Sequence, residues 1–307
     1  MRSYLFVVNP TAGKGRGARV EEWLSRKLAR SDIDHHIVRT KGRGEAGGIA
    51  RDAHADVVVA VGGDGTIHEI ANGLIGTKKI LGIIPAGSGN DLVKSLGIPQ
   101  QRDEALRELL GGSIRRFDAG RVQWSTHPDG NFKERFFVNG LGIGFDAAVA
   151  KTASELRYLS GTLLYLTAVL LTMRRYIPPL LEISLQEAGK GARRQLLVAV
   201  GNGACAGGGF YLTPTAKADD GLLDVCSIDA GSAFRILALV PKVLRGKHAG
   251  ADGVTMYRGK EFTVSSDEPF PVHADGEFLG DSIRTLRVGV VAGMVPVVAP
   301  RSKGRDV

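Results

Sequence analysis

Four apolar runs in the first 118 residues each end in a turn rich in glycine, asparagine or aspartate. Tyr4–Val8 leads into Asn9-Pro10 and a loop over 11–17. The run 35–40 leads into Lys41 to Gly44. The run 56–61 ends at Gly62-Gly63-Asp64-Gly65-Thr66, and the run 80–84 at Pro85-Ala86-Gly87-Ser88-Gly89-Asn90-Asp91. Helical patterns lie between them: over 18–30 with Val20, Trp23, Leu24 and Leu28 on one face, from 45 to about 54, over 66–72 with Gly73 as the stop, and up to Leu96-Gly97. Apolar strands alternating with helices predict an α/β domain, a parallel sheet with helices on both faces. Such sheets bind ligands at the carboxyl ends of their strands.

The pattern changes near Asp118. Strand-like runs follow at 116–124, 136–140, Leu180–Leu185, 196–201, 222–228, 261–265, 271–274 and 285–291, interrupted by helices at 161–175 and Ala233–Leu244. Many strands with turn signals predict a mostly antiparallel β-sandwich or barrel. The expected division is an α/β domain over 1–118 and a β domain over 119–291. The segment 292–307 packs back on the first domain, frayed over 301–307.

The 307 residues carry a net charge of +8 and a pI near 9.6. Nucleic acid, an anionic membrane surface, a polyphosphate or plain solubility would each account for that charge. No basic-aromatic motif supports nucleic acid. Two cysteines, Cys205 and Cys226, imply no disulfide framework and fit a cytoplasmic protein. The longest apolar stretch, 158–173, is broken by serine, glycine and threonine and reads as a packed or interfacial helix.

Glycine lets main-chain amides approach phosphate oxygens, and a following helix adds a favourable field. Lys14, Arg16 and Arg19 can pair with phosphates there. One such loop is ordinary turn chemistry; four at one edge point to a ligand. The Walker pattern is absent, since Gly13-Lys14 is followed by Gly15 rather than serine or threonine. Gly42-Arg43-Gly44-Glu45-Ala46-Gly47 matches a dinucleotide fingerprint formally, but follows the second strand rather than the first. Asp64, flanked by glycines, suits a carboxylate acting on Mg²⁺ beside a triphosphate, or closes its own turn. Asp91 reaches a ribose or the turn at Ser88, or caps a helix. Glu277 is a candidate base, or an exposed residue after an Asp275-Gly276 hairpin. Cys205, His68 and His273 read as structural.

Asn9-Pro10-Thr11-Ala12-Gly13-Lys14, Gly62 to Thr66 and Pro85 to Asp91 resemble the three N-terminal signatures of the diacylglycerol kinase catalytic family. That family includes sphingosine and ceramide kinases and is more distantly related to NAD kinases. Phe117-Asp118-Ala119-Gly120, Asn139-Gly140 to Asp146, Asp219-Asp220-Gly221-Leu222-Leu223-Asp224 and His273-Ala274-Asp275-Gly276-Glu277 resemble its later blocks, in order. The resemblance implies a nucleotide cleft between an NAD-kinase-like domain and a β-sandwich. It implies ATP and Mg²⁺ as cofactors and a lipid hydroxyl as acceptor at an anionic membrane surface, diacylglycerol first. Phosphatidylglycerol, a sphingoid base or, outside the lipid class, NAD are the alternatives.

Carried over by residue, Asn9, Thr40, Gly63, Gly65, Thr66, Ser88 and Asp91 would line the nucleotide, with Lys14 and Arg19 on the phosphates. Asp64 would hold the catalytic Mg²⁺, with Asp118 in the same network. Glu277 would be the general base. Asp220, with main-chain oxygens of Lys217 and Leu222, would hold a second, structural Mg²⁺. Thr40-Lys41 replaces the commoner Thr-Thr. Oligomeric state stays open, a homodimer included.

Overall fold

The computed structural model describes residues 2–127, 130–156, 161–185 and 188–300. The expectation of a frayed 301–307 and the start of the apolar stretch at 158–160 lie outside them. The chain divides into two compact units. One comprises 1–117 with 293–307, and the other 118–292.

In the first unit the elements run β1 (Tyr4–Val8), α1 (Ala12–Leu28), β2 (His35–Arg39), α2 (Glu45–Asp52), β3 (Val57–Gly62), α3 (Asp64–Leu74), β4 (Ile80–Pro85), α4 (Asp91–Ser95) and α5 (Arg102–Gly111). β1 pairs in parallel with β2 and β3, and β3 with β4. β3 is buried along its whole length, as a strand covered on both faces must be. Val57, Val59 and Val61 pack with Trp23, Leu24 and Leu28 of α1 and Leu106 and Leu109 of α5. Val58 and Ala60, also buried, face the other way by the two-residue period.

Two expectations change here. Gly73 does not stop a helix, because α3 continues through it to Leu74. A Cβ on Gly73 would lie 2.2 Å from the Gly47 carbonyl oxygen, so these glycines allow α2 and α3 to touch. The dinucleotide fingerprint also has another explanation. The amides of Gly44 and Ala46, where a pyrophosphate would bind, donate to Glu69 at 2.8 and 3.1 Å. α5 matches no expected helix.

The second unit contains β5 (Ser113–Ser125), which starts in the first unit, then β6 (Lys133–Phe137), β7 (Gly140–Gly144), α6 (Phe145–Glu155), α7 (Gly161–Met173), β8 (Leu180–Leu185), β9 (Ala188–Gly201), β10 (Leu223–Asp229), α8 (Ala233–Leu244), β11 (Val254–Gly259), β12 (Glu261–Ala274) and β13 (Glu277–Ala299). The strand pairs within it are antiparallel. β7, β8, β9, β10, β12 and β13 share one core around Phe137, Ile143 and Phe270. Helices α6, α7 and α8 cover a second core with Leu197, Cys226 and Ile228. β13 continues into the first unit, where Val297 pairs in parallel with Leu81 of β4. Neither α6 nor β11 was expected, and β12 is one bulged strand where two were read. Among the described residues no helix is long and apolar enough to cross a membrane.

Candidate active site

In the first unit, the loops after β1, β3 and β4 meet. A Cβ on Gly13 would lie 2.3 Å from the Ala86 carbonyl oxygen, and one on Gly87 would lie 2.4 Å from Gly63 Cα. Main chain therefore touches main chain at both contacts, and any larger residue would push the loops apart. Gly13, Lys14 and Gly15 all take left-handed conformations (φ 56°, 60° and 84°) before the regular part of α1 begins. Lys14 and Arg19 are exposed, while Arg16 Nη1 donates to the Gly87 carbonyl at 2.9 Å.

Polar side chains lock this edge. Asn9 accepts from the Thr11 amide and hydroxyl, and its Nδ2 donates to Thr66 Oγ1 at 3.1 Å. Thr40, buried at the end of β2, donates its amide to the Val8 carbonyl at 2.8 Å. Asn90 takes the left-handed conformation (φ 51°) and its Oδ1 accepts from the Gly87 amide. Gly65 and Ser88 stay exposed at the rim.

Asp64 opens α3. Its Oδ1 accepts the Leu92 amide at 3.1 Å. Burial, followed by the neighbouring Asp91 carboxylate, raises its pKa above the ordinary carboxyl value, against the pull of the amides at 90–92. Asp91 is itself buried and paired with Lys94 at 3.1 Å. A half-buried carboxylate whose ionised form is disfavoured gains by cation binding. Asp64 therefore fits Mg²⁺, held directly or through water, while Asp91 already has the Lys94 ammonium as its partner.

In the second unit, a two-residue turn, Asp275-Gly276, joins β12 to β13, with Ala274 opposite Glu277. Both turn residues have positive φ (47° and 79°), as a type I′ hairpin requires. The Asp275 carboxylate does more than shape its own turn. It accepts three consecutive amides, from Val138 (2.7 Å), Asn139 (3.0 Å) and Gly140 (2.7 Å). His273 supports the same turn: its Nε2 lies 2.9 Å from Asp146, and its Nδ1 accepts the Gly276 amide at 3.2 Å. Glu277 emerges half-buried from this clamp and is ion-paired with Arg135 of β6. The sequence reading missed Arg135, Asp146 and the capture by Asp275. The Asp-Gly dipeptide signals the turn, but no local pattern signals the partners.

Asp118 is buried. Its carboxylate accepts the Gly221 amide at 2.7 Å, its own amide donates to the Ala218 carbonyl, and Asn202 donates to its carbonyl. These partners give it a positioning role on the 218–221 loop. Asp220, the candidate second metal ligand near Lys217 and Leu222, accepts the Leu222 amide and is ion-paired with Arg258. Arg258 Nε also lies 3.4 Å from buried Asp224. The guanidinium supplies the positive charge that a cation would bring, so this arrangement does not fit a second Mg²⁺. Among the described residues no three His, Cys, Asp or Glu side chains cluster as metal ligands do.

Residues 3–122 match the model of the diacylglycerol kinase catalytic domain. Residues 140–299 match that of the YegS C-terminal NAD kinase beta sandwich-like domain. A diacylglycerol kinase of Mycobacterium tuberculosis is 31% identical over 89% of this chain and 87% of its own. A solved structure of a diacylglycerol kinase from Bacillus anthracis superposes with TM-score 0.72 at 24% identity, covering 98% of both chains. The yeast NADH kinase shares the fold alone, with TM-score 0.57 at 9% identity over 96% of this chain and 82% of its own. The chain belongs to the diacylglycerol kinase catalytic-domain family of lipid kinases, with a YegS-type β-sandwich as its second half.

Proposed function

We propose that this lipid kinase transfers the γ-phosphoryl group of ATP to the free hydroxyl of diacylglycerol, giving phosphatidic acid, at an anionic membrane surface. The observation that carries the reading is the clamped Glu277. Three amides fix the Asp275 turn that presents it, and Arg135 orients its carboxylate. The names of the relatives support diacylglycerol as the acceptor.

Phosphoryl transfer passes through a loose transition state that needs positioning and charge neutralisation more than a strong base. Amides of the touching loops receive the phosphates, with Lys14 and Arg19 adding positive charge. Asn9, Thr40, Thr66 and Ser88 hold the nucleotide end. Mg²⁺ at Asp64, with Asp91 behind it, would neutralise charge on the phosphates. Glu277 accepts the proton of the lipid hydroxyl as the new O–P bond forms and the bond to ADP breaks. Arg135 keeps the carboxylate aimed before that step.

The test is thin-layer chromatography of products from γ-labelled ATP with diacylglycerol, phosphatidylglycerol, sphingosine and NAD. Label should enter phosphatidic acid. Label in another lipid alone would replace the acceptor, and label in NADP alone would sink the lipid reading. Glu277→Ala should lower kcat by roughly 10² to 10⁴ while ATP binding persists.

A further inference from the structure

Helix α8 is apolar on two sides. Its inner side, with Leu239 and Val243, packs into the core that it shares with α6 and α7. Its outer side carries Phe234, Leu237, Pro241 and Leu244, all exposed and spaced as one helical face. Phe234 is 88% exposed. Of the ten exposed large apolar side chains among the described residues, Phe234, Leu237 and Leu244 of α8, Leu170 and Leu171 of α7, and Ile177 just after α7 make six. Helices α7 and α8 and the segment just after α7 therefore carry most of the exposed large apolar side chains among the described residues, well beyond a scattering of single residues.

The charges carried by α8 itself are of one sign. The helix contains no aspartate or glutamate. Lys242, Arg245 and Lys247 are exposed at its C-terminal end and have no ion-pair partner among the described residues. Arg235, at the other end, is paired with Asp252 at 3.3 Å. An apolar face ending in a cluster of cations is the pattern of a helix that lies in an anionic lipid interface. A second copy of the chain fits less well, because a symmetric pair with parallel helices would bring two unpaired cationic clusters together, and an antiparallel one would leave both clusters without a partner.

The face is also linked to the candidate base. The Val243 carbonyl at the end of α8 accepts the Tyr211 amide. The same segment reaches back to Cys205, whose carbonyl accepts Asn139 Nδ2 at 2.9 Å. Asn139 is one of the three residues held by Asp275, next to Glu277.

We propose that the outer face of α8 docks the enzyme on anionic membranes. Phe234, Leu237 and Leu244 enter the interface, and Lys242, Arg245 and Lys247 meet the lipid phosphates. This builds on the lipid-acceptor reading above by naming the surface through which the acceptor's membrane is engaged.

The test uses the full chain, vesicles of phosphatidylglycerol with phosphatidylcholine, and a short-chain diacylglycerol dissolved as monomers. Phe234→Asp/Leu237→Asp should weaken vesicle sedimentation by about tenfold or more, yet leave turnover of the dissolved acceptor at the wild-type rate. That retained turnover also shows that the variant folds. Lys242→Glu/Arg245→Glu should weaken binding and flatten its dependence on salt. Wild-type binding by the apolar double variant would overturn the proposal. So would a wild-type dimer, seen by sedimentation velocity, that the same substitutions dissociate. A wild type that binds vesicles through Phe234 but phosphorylates no diacylglycerol would leave the docking surface standing and overturn the acceptor reading instead.

Discussion

The two halves of the proposed chemistry are built by opposite means. In the first unit the functional edge depends on missing side chains: Gly13 lies against Ala86, and Gly63 against Gly87, with no room for a Cβ at either contact. In the second unit it depends on carboxylates that collect partners. Asp275 takes three amides, Asp118 the Gly221 amide, and Asp224 the Thr215 hydroxyl and Arg258. A site for a phosphate chain needs bare amides and space, so glycine suits it. A site that aims a single carboxylate needs a rigid mount, and hydrogen bonds to charged groups provide one.

The contrast predicts different kinds of damage. Asp275→Ala should give the largest loss. It leaves three amides without their acceptor, at about 1 kcal/mol or more each, so the expected destabilisation is on the order of 3 kcal/mol by denaturant titration. Turnover should fall with it, because Glu277 loses its mount. A variant as stable as wild type would remove the clamp from the account. Gly87→Ala should cost less stability, about 1 to 3 kcal/mol for overpacking, but should raise the KM for ATP by tenfold or more. An unchanged KM would mean that the contact with Gly63 does not shape the nucleotide site.

Arg258→Met sharpens the second unit's side of the comparison. It strips the positive charge from Asp220 and buried Asp224. Arg258 is partly exposed, so the expected loss is about 1 to 2 kcal/mol, below that for breaking a fully buried pair. Millimolar Mg²⁺ should raise the melting temperature of the variant by clearly more than that of the wild type, where only the Asp64 site gains the ion. Equal Mg²⁺ stabilisation of both proteins would show that the arginine does not stand in for a cation.

The same contrast explains what could be read from the sequence. The parallel sheet was legible because β1, β3 and β4 are short apolar runs punctuated by glycine, a local signal. The glycine loops were legible for the same reason. Gly73 misled because a glycine that admits a neighbouring helix looks like one that ends its own. α6 was hidden because it starts directly after Gly144, whose φ of 85° leaves no capping side chain to announce a helix. α5 was missed although Ala105, Leu106 and Leu109 lie on one buried face, because its charged residues dominate the segment. The pair of Arg135 with Glu277 joins positions 142 apart. No periodicity within the five residues of β6 could point to it, since the partner is supplied by the tertiary fold.

The smallest expected effect concerns His273, which links the turn to pH. Burial works against the charged imidazole, but the Asp146 carboxylate at 2.9 Å and the charge of Asp275 outweigh it, so the pKa lies above the ordinary histidine value of 6.5. A raised folded-state pKa adds stability that is fully present below the unfolded value and is lost as pH rises through the folded one. The Gly276 amide pulls the other way, because it needs an unprotonated Nδ1. Acid should therefore strengthen the pairing with Asp146 while it removes one hydrogen bond from the turn before Glu277. Stability and turnover should move in opposite directions as pH falls towards and below 6.5. His273→Gln should lose the pH-dependent part of the stability difference. The measurement is a pair of profiles, denaturant midpoint and kcat against pH, for both proteins. If kcat follows the midpoint in the wild type, the turn is held by Asp275 alone, and His273 serves only its buried pair with Asp146.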